Sequence, residues 1–203
     1  MIIYAESNFV LELALLQKEH QSCQKILSFC ETDNIHLLLP AMCLTEPLET
    51  LVRRAKNRKS LASQLEIEIK QLSRTALYSV QLDTLQEVTA LLLQSREDEM
   101  LRLFCELENI LKVAEIIPMV PEILPLATDF QKYLKLPPQD SIVYASVVHH
   151  LNTVDESIPK CFLNLNSKDF SHLDIKTTLN SHNCKLLFSF EKGYHYIQHQ
   201  LKL

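Results

Sequence analysis

At 203 residues and 23.5 kDa, the chain is long enough for one sizeable domain and short for two. Apolar residues at 47% and charged residues at 22% exclude a disordered chain, and no apolar run approaches the ~20 residues of a bilayer-spanning helix. A net charge of −5 excludes the strongly basic footprint of a protein that coats nucleic acid, but it leaves room for a nuclease with an acidic metal site and a local basic patch.

The opening Met1-Ile2-Ile3-Tyr4-Ala5 has no basic segment and meets Glu6 at once, so a secretory signal is not expected and a cytoplasmic location is. Ile2–Ala5 reads as a first short strand, running directly into Glu6-Ser7-Asn8. Ile35–Leu39 reads as a second, stopped by Pro40, with Glu46 six residues on, in the helix that follows. Between Pro47 and Pro118 there is neither proline nor glycine, and the residues are strong helix formers. Apolar residues there recur at helical spacing, which predicts a helical block with breaks near Leu77–Asp83 and Gln94–Asp98. Arg96, Glu97, Asp98 and Glu99 read as a solvated face of that block. Just beyond the expected helix bearing Glu46, Arg53, Arg54, Lys56, Arg58 and Lys59 are five basic residues in seven, either a solvated helix surface or a patch that tracks phosphates.

Glu115-Ile116-Ile117, ended by Pro118, adds a short strand. After Pro137-Pro138-Gln139 a helix with a strong apolar face begins, with Asp140 expected at or near its N-cap and His149-His150 near its end. Cys161–Leu165 reads as a strand that runs into Asn164-Leu165-Asn166-Ser167-Lys168-Asp169-Phe170, and Lys185–Phe188 as the last strand. His195 and His199, one helical turn apart in a Tyr-rich tail, suit packing or a partner contact. Cys23, Cys30, Cys43, Cys105, Cys161 and Cys184 form no C-x-x-C pair and are expected as reduced core thiols, with no zinc site. The only glycine, Gly193, removes dinucleotide fingerprints and P-loops, which need backbone positions that side chains obstruct.

Short apolar strands separated by helical sequence define an α/β fold: a parallel sheet of four or five strands with helical crossovers, as a single domain over 1–203 with a helical insertion at about 51–113. In such sheets ligands collect at the carboxyl ends of the strands. Glu6, Glu46, Asp140 and the Asn166–Asp169 turn all fall at corresponding ends. Carboxylates converging from several elements suit a hard divalent cation. Each position also has a plainer use: Glu6 as a surface residue at a strand end, Asp140 as a cap, Glu46 as a first-turn acid, Asn166 and Asp169 as turn formers.

Four of these segments, taken together, resemble the PIN domain, a metal-dependent ribonuclease fold. Ile3–Leu11 resembles the family's opening strand, acid and helix. Leu39–Glu46 resembles its second strand, proline and helix-borne glutamate. Leu136–Ala145 resembles the helix opened by an Asp, and Phe162–Phe170 the strand and turn that supply the last ligand. The resemblance covers residues 1–50 and 114–190. Two departures stand out: Glu6 occupies a place usually held by Asp, and Asn166 a place often held by Asp.

The resemblance implies hydrolysis of RNA phosphodiester bonds by a metal-activated water. It implies Mg²⁺ or Mn²⁺ held by Glu6, Glu46 and Asp140, with Asn166 and Asp169 completing the shell and Ser7 and Asn8 supporting Glu6. RNA is the implied partner, along Arg53, Arg54, Lys56, Arg58 and Lys59. A toxin held by an antitoxin, a processing enzyme, another protein partner and a homodimer are all compatible with it; a membrane partner is not. The alternative is a catalytically degenerate domain that binds RNA or protein without cutting.

Overall fold

The computed structural model describes residues 1–32 and 34–202, and gives only the backbone at residues 76 and 79–81. Among the described residues, five parallel strands form one sheet. They are β1 (Ile2–Ala5), β2 (His36–Pro40), β3 (Ala114–Ile117), β4 (Lys160–Leu163) and β5 (Cys184–Leu187), in the order β3-β2-β1-β4-β5. The α/β expectation holds. β1 and β4 are buried at every residue, which is why they read as continuous apolar runs with no alternation. β1 lies at the centre, with Ile3 beside Leu37 of β2 and Cys161 of β4.

Helices connect the strands. α1 (Ser7–Leu15) and α2 (His20–Glu31) follow β1. α3 (Met42–Leu72) and α4 (Ser79–Val113) lie between β2 and β3. α5 (Ile123–Leu134) and α6 (Pro138–Leu151) lead to β4. α7 (Ser167–Phe170) and α8 (Leu173–Ser181) lead to β5, and α9 (Phe190–Leu201) ends the chain. From β1 the chain winds outward through β2 and β3, then crosses back to β4 and β5 on the other side. The winding therefore reverses between β1 and β4, where a parallel sheet opens a crevice at its carboxyl edge.

Two residues hold β4 in register with its surroundings. Lys160 is fully buried, and its ammonium donates to the carbonyls of Asp155, Ile158 and His182 at 2.7, 2.9 and 3.2 Å. All three of its protons are used, which is what a buried ammonium requires. Gly193 lets α9 lie against β4: a Cβ there would sit 2.6 Å from Leu163 Cδ2.

The helical block departs from expectation. The break between its helices falls at residues 73–78, where a short 3₁₀ turn (Ala76–Tyr78) links α3 to α4. The break expected at Gln94–Asp98 is absent: α4 runs unbroken through it, and Gln94 Nε2 donates to Asp98 Oδ1 at 3.0 Å, one turn along. That stretch is polar, but its residues are all compatible with a helix interior. β2 is displaced one residue and includes Pro40, aligned with Ile117 of β3. Five of the six cysteines are buried as expected; Cys105 is exposed.

Candidate active site

Glu6 follows β1 directly and caps α1. Its Oε2 accepts from the backbone N–H and the Nδ2 of Asn8, both at 3.0 Å, while its Oε1 accepts from the Leu165 N–H at 3.1 Å. Three donors thus fix a carboxylate that is only 7% exposed, and they link the ends of β1 and β4. Burial raises the Glu6 carboxyl to about 7, with the nearby charge of Glu46 adding to the rise and the hydrogen bonds from Asn8 and Leu165 opposing it.

Ser7, the first residue of α1, donates its hydroxyl to Glu46 Oε2 in a short hydrogen bond. Glu46 lies in the second turn of α3, brought to the site because β2 ends beside β1 and α3 starts two residues after Pro40. Asp140 sits in the first turn of α6. It is not the N-cap: Pro137 holds that place, and Pro138 opens the helix with a fixed φ and no N–H to satisfy. The Asp140 carboxylate is therefore free of capping and reaches across to the β4 loop, where it accepts from Asn166 Nδ2 at 2.9 Å.

Asn166 ties the remaining pieces together. Its Nδ2 donates to Asp140 Oδ2 and, at 2.7 Å, to Asp169 Oδ2, while its Oδ1 accepts from the Asp169 N–H and caps α7. Asn164 stabilises the turn, its Oδ1 accepting from the Asn166 N–H at 2.7 Å. Burial raises the Asp140 carboxyl to about 6, followed by the charges of Asp169 and Glu46, with the Asn166 amide working against them. The charge of Glu46 thus reaches both Glu6 and Asp140, and that of Asp169 reaches Asp140.

Residues 164–166 contribute more than sequence reading assigned them. The Leu165 N–H and the Asn164 side chain orient the acids without being acidic. The Asn-x-Asn spacing was the one available signal for the turn, and nothing signals a backbone donor.

The basic run divides. It lies on α3 itself, not beyond the helix bearing Glu46. Arg58 is turned toward α4, making a bidentate pair with Glu99 at 2.8 and 2.9 Å and a hydrogen bond to Ser95 at 3.1 Å. Its donors are committed within the fold, which corrects the expectation of phosphate contact at this residue. The same pair corrects the solvated face expected at Arg96–Glu99: Glu99 points at α3. Arg54 is half-buried; Arg53, Lys56 and Lys59 are exposed. Arg53 lies seven residues after Glu46, two turns along nearly the same face, and Lys56 is three residues further. Lys59 falls on another face. His149 and His150 are in the last turn of α6, as expected, with His150 Nδ1 2.8 Å from the Tyr4 hydroxyl.

The donor chemistry fits a hard divalent cation: carboxylate oxygens that repel one another, beside an amide whose oxygen is a further donor. The side chains are at present tied by internal hydrogen bonds, and among the described residues no three His, Cys, Asp or Glu side chains are arranged to hold a metal ion.

A five-stranded parallel sheet of this order, with acids gathered where its winding reverses, defines an α/β protein with a carboxylate cluster at its sheet crevice. The chain matches the PIN domain family over residues 3–170, and it belongs to that family, whose members are generally nucleases that use divalent metals. The match runs through α3 and α4 as well as the four segments read from sequence. No curated protein and no solved structure matches the chain significantly. Among the described residues, no helix is long and apolar enough to cross a membrane.

Proposed function

We propose that the chain is a divalent-metal-dependent endoribonuclease, with RNA as substrate and a cytoplasmic site of action. The observation that carries this reading is the gathering of Glu6, Glu46 and Asp140 from three separate elements at one crevice, where the charge of Glu46 helps to raise both the Glu6 and the Asp140 carboxyls. Fixed like charges in a poorly solvated place are costly unless something cationic joins them. A bound Mg²⁺ or Mn²⁺ supplies activation of water and neutralisation of charge at the phosphoryl group.

Asp140, Glu46 and Asp169 are the proposed ligands. Glu6 has three of its roughly four acceptor sites occupied, so it has one left for a cation or for a water beside it. Ser7 aims Glu46, Asn8 holds Glu6, and Asn166 sets the separation of Asp140 from Asp169. Arg53 and Lys56 continue the Glu46 face of α3 and are proposed to hold the RNA backbone.

The test is Mn²⁺ binding by calorimetry for wild type and Asp140→Asn, with RNA cleavage followed in the same buffer. Binding and cleavage should both be lost in the variant, cleavage by about a thousandfold or more. Cleavage that survives Asp140→Asn overturns the reading.

A second reading, an RNA- or protein-binding module without cleavage, is favoured by one observation. The Asn166 amide presents N–H groups, not oxygen, to Asp140 and Asp169, and so partly does a cation's work between them. That reading predicts RNA retention with no divalent binding in the wild type. An antitoxin or other protein partner would be sought on that outcome.

A further inference from the structure

Tyr133, in the last turn of α5, is 78% exposed, while Phe130, Tyr144 and Phe170 near it form a packed aromatic row. A lone exposed aromatic needs no ligand; this one is set apart by its place. α5 and α6 are joined by three residues and lie antiparallel, with the Phe130 and Tyr144 rings 4.6 Å apart. That contact sets their relative heights. Three residues further along α5 is Tyr133, and three residues back along α6 is Ser141, next to Asp140. Tyr144 in turn meets the Phe170 ring edge-on at 6.0 Å, so Phe130 lies on the flank of α5 nearer α7. Tyr133 is i+3 from Phe130 and shares that flank. It therefore stands level with the acid-bearing first turn of α6, on the side where α7 carries Asp169.

The mount is stiff. Tyr133 belongs to a helix, Leu136 beyond it is buried, and Pro137-Pro138 hold two φ angles fixed. A ring held this way loses little freedom when a ligand covers it. The surrounding charge is basic: between Asp129 and Asp140 the charged residues are Lys132 and Lys135. Lys132 lies 4.0 Å from Asp129, but no ion pair among the described residues holds Lys135, or Lys168 beside Asp169, and both are exposed. A ring for a base and ammonium groups for phosphates is the chemistry that holds unpaired nucleotides. One ring among lysines gives a protein partner too little apolar area.

We propose that Tyr133 is a base-stacking residue: a nucleotide near the bond to be cut lays its unpaired base on this ring, and Lys135 and Lys168 hold adjoining phosphates. The inference rests on the RNA reading above and adds a contact on the Asp140 side. Arg53 and Lys56 flank Glu46 instead, on the antiparallel α3–α4 hairpin.

Fluorescence anisotropy of the full chain with an end-labelled single-stranded oligoadenylate of about ten nucleotides tests it, with metal chelated so that nothing is cut. Tyr133→Ala should weaken binding about tenfold, and Tyr133→Phe should bind as wild type does, because the ring and not the hydroxyl stacks. An abasic ribose–phosphate strand of the same length should bind wild type and Tyr133→Ala alike, which a merely structural role for Tyr133 does not produce. The chain has no tryptophan, so Tyr133→Trp supplies a single reporter, whose emission the oligoadenylate should quench and the abasic strand should not. Lys135→Ala with Lys168→Ala should reduce the salt dependence of binding for both strands. Equal oligoadenylate binding by wild type and Tyr133→Ala, or a Tyr133→Phe as weak as Tyr133→Ala, overturns this inference and leaves the RNA reading standing. A wild type that binds neither strand, with metal chelated or with Ca²⁺ present, overturns both.

Discussion

The acid site and the helical hairpin are opposite solutions to holding charge. In the site, carboxylates are buried or half-buried and held by residues far apart in sequence: Leu165 to Glu6, Glu46 to Ser7, Asn166 to Asp140. Folding there works against burial of charge and mutual repulsion. In the hairpin, opposite charges meet across two helices that form from local propensity, and the unfavourable feature is exposed apolar surface. A site of crowded, poorly solvated carboxylates is sensitive to pH. A hairpin with satisfied charges is not. The difference teaches where function is stored: in what each region leaves unsatisfied.

The largest effect separating the two regions is the pH dependence that Glu6 confers. Its folded-state carboxyl lies near 7, above its ordinary 4.5. Between those values the folded protein holds a proton that the unfolded chain has released, so stability falls as pH rises. The stability linked to this group is fully present below about pH 4.5 and lost by about pH 7 to 8, on the order of 3 kcal/mol in all. Denaturant titrations across pH 4 to 8 should show a steeper fall in wild type than in Glu6→Gln, where only the smaller fall from the raised Asp140 carboxyl remains, whatever fixed cost the amide incurs by facing the Leu165 N–H. His150, whose protonation burial disfavours, acts in the other direction as pH falls, but it does so in both proteins and drops out of their difference. Parallel curves for the two proteins contradict the assignment. Mn²⁺ at pH 8 should return part of the lost stability to wild type, because a cation replaces the proton.

The fold was more legible in the sequence than the site. Ile2–Ala5 and Cys161–Leu163 announced themselves as strands because a strand buried on both faces needs an unbroken apolar run. Proline and glycine placement bounded the helical block, and the turn expected near Leu77–Asp83 falls a few residues earlier, at 73–78, where no proline or glycine marks it. In the site, the acids were visible by type and by position after strands. What was not visible was their wiring. That Asn166 donates to two carboxylates, that Asp140 is uncapped behind Pro137-Pro138, and that Arg58 turns to Glu99 all depend on contacts 26 to 41 residues away or on backbone geometry, which no local pattern records. Lys160 is the clearest case: nothing in its neighbourhood tells that this lysine is wholly buried under three carbonyls.

A smaller effect sharpens the comparison inside the site. Asn166→Asp replaces a donor that links Asp140 to Asp169 with a third negative charge. Without metal, the change should destabilise the fold by about 1–2 kcal/mol, through lost hydrogen bonds and added repulsion. With metal, it should tighten Mn²⁺ binding by about tenfold, since affinity grows with ligand charge. Calorimetry and thermal denaturation of the same preparation check both signs together. Weaker Mn²⁺ binding in Asn166→Asp means that the amide oxygen is itself a needed ligand, and the site is then tuned for a lower charge.

The smallest effect belongs to the hairpin. Arg58 and Glu99 have side chains 26% and 16% exposed, so their pair is partly screened, but it is bidentate and carries a third bond to Ser95. Arg58→Ala should cost about 1 kcal/mol, above a typical surface pair and well below a buried one. Glu99 keeps access to water when its partner is removed, so no stranded charge adds to the loss. Because Arg58 faces α4 and not the Glu46 side of α3, RNA affinity should change far less than in Arg53→Ala or Lys56→Ala. Measuring the three variants side by side, by denaturation and by RNA binding over a salt series, sets a fold-holding arginine against two proposed phosphate contacts on the same helix. If Arg58→Ala lowers RNA affinity and its salt dependence as much as the other two do, the division of this basic run between fold and substrate fails.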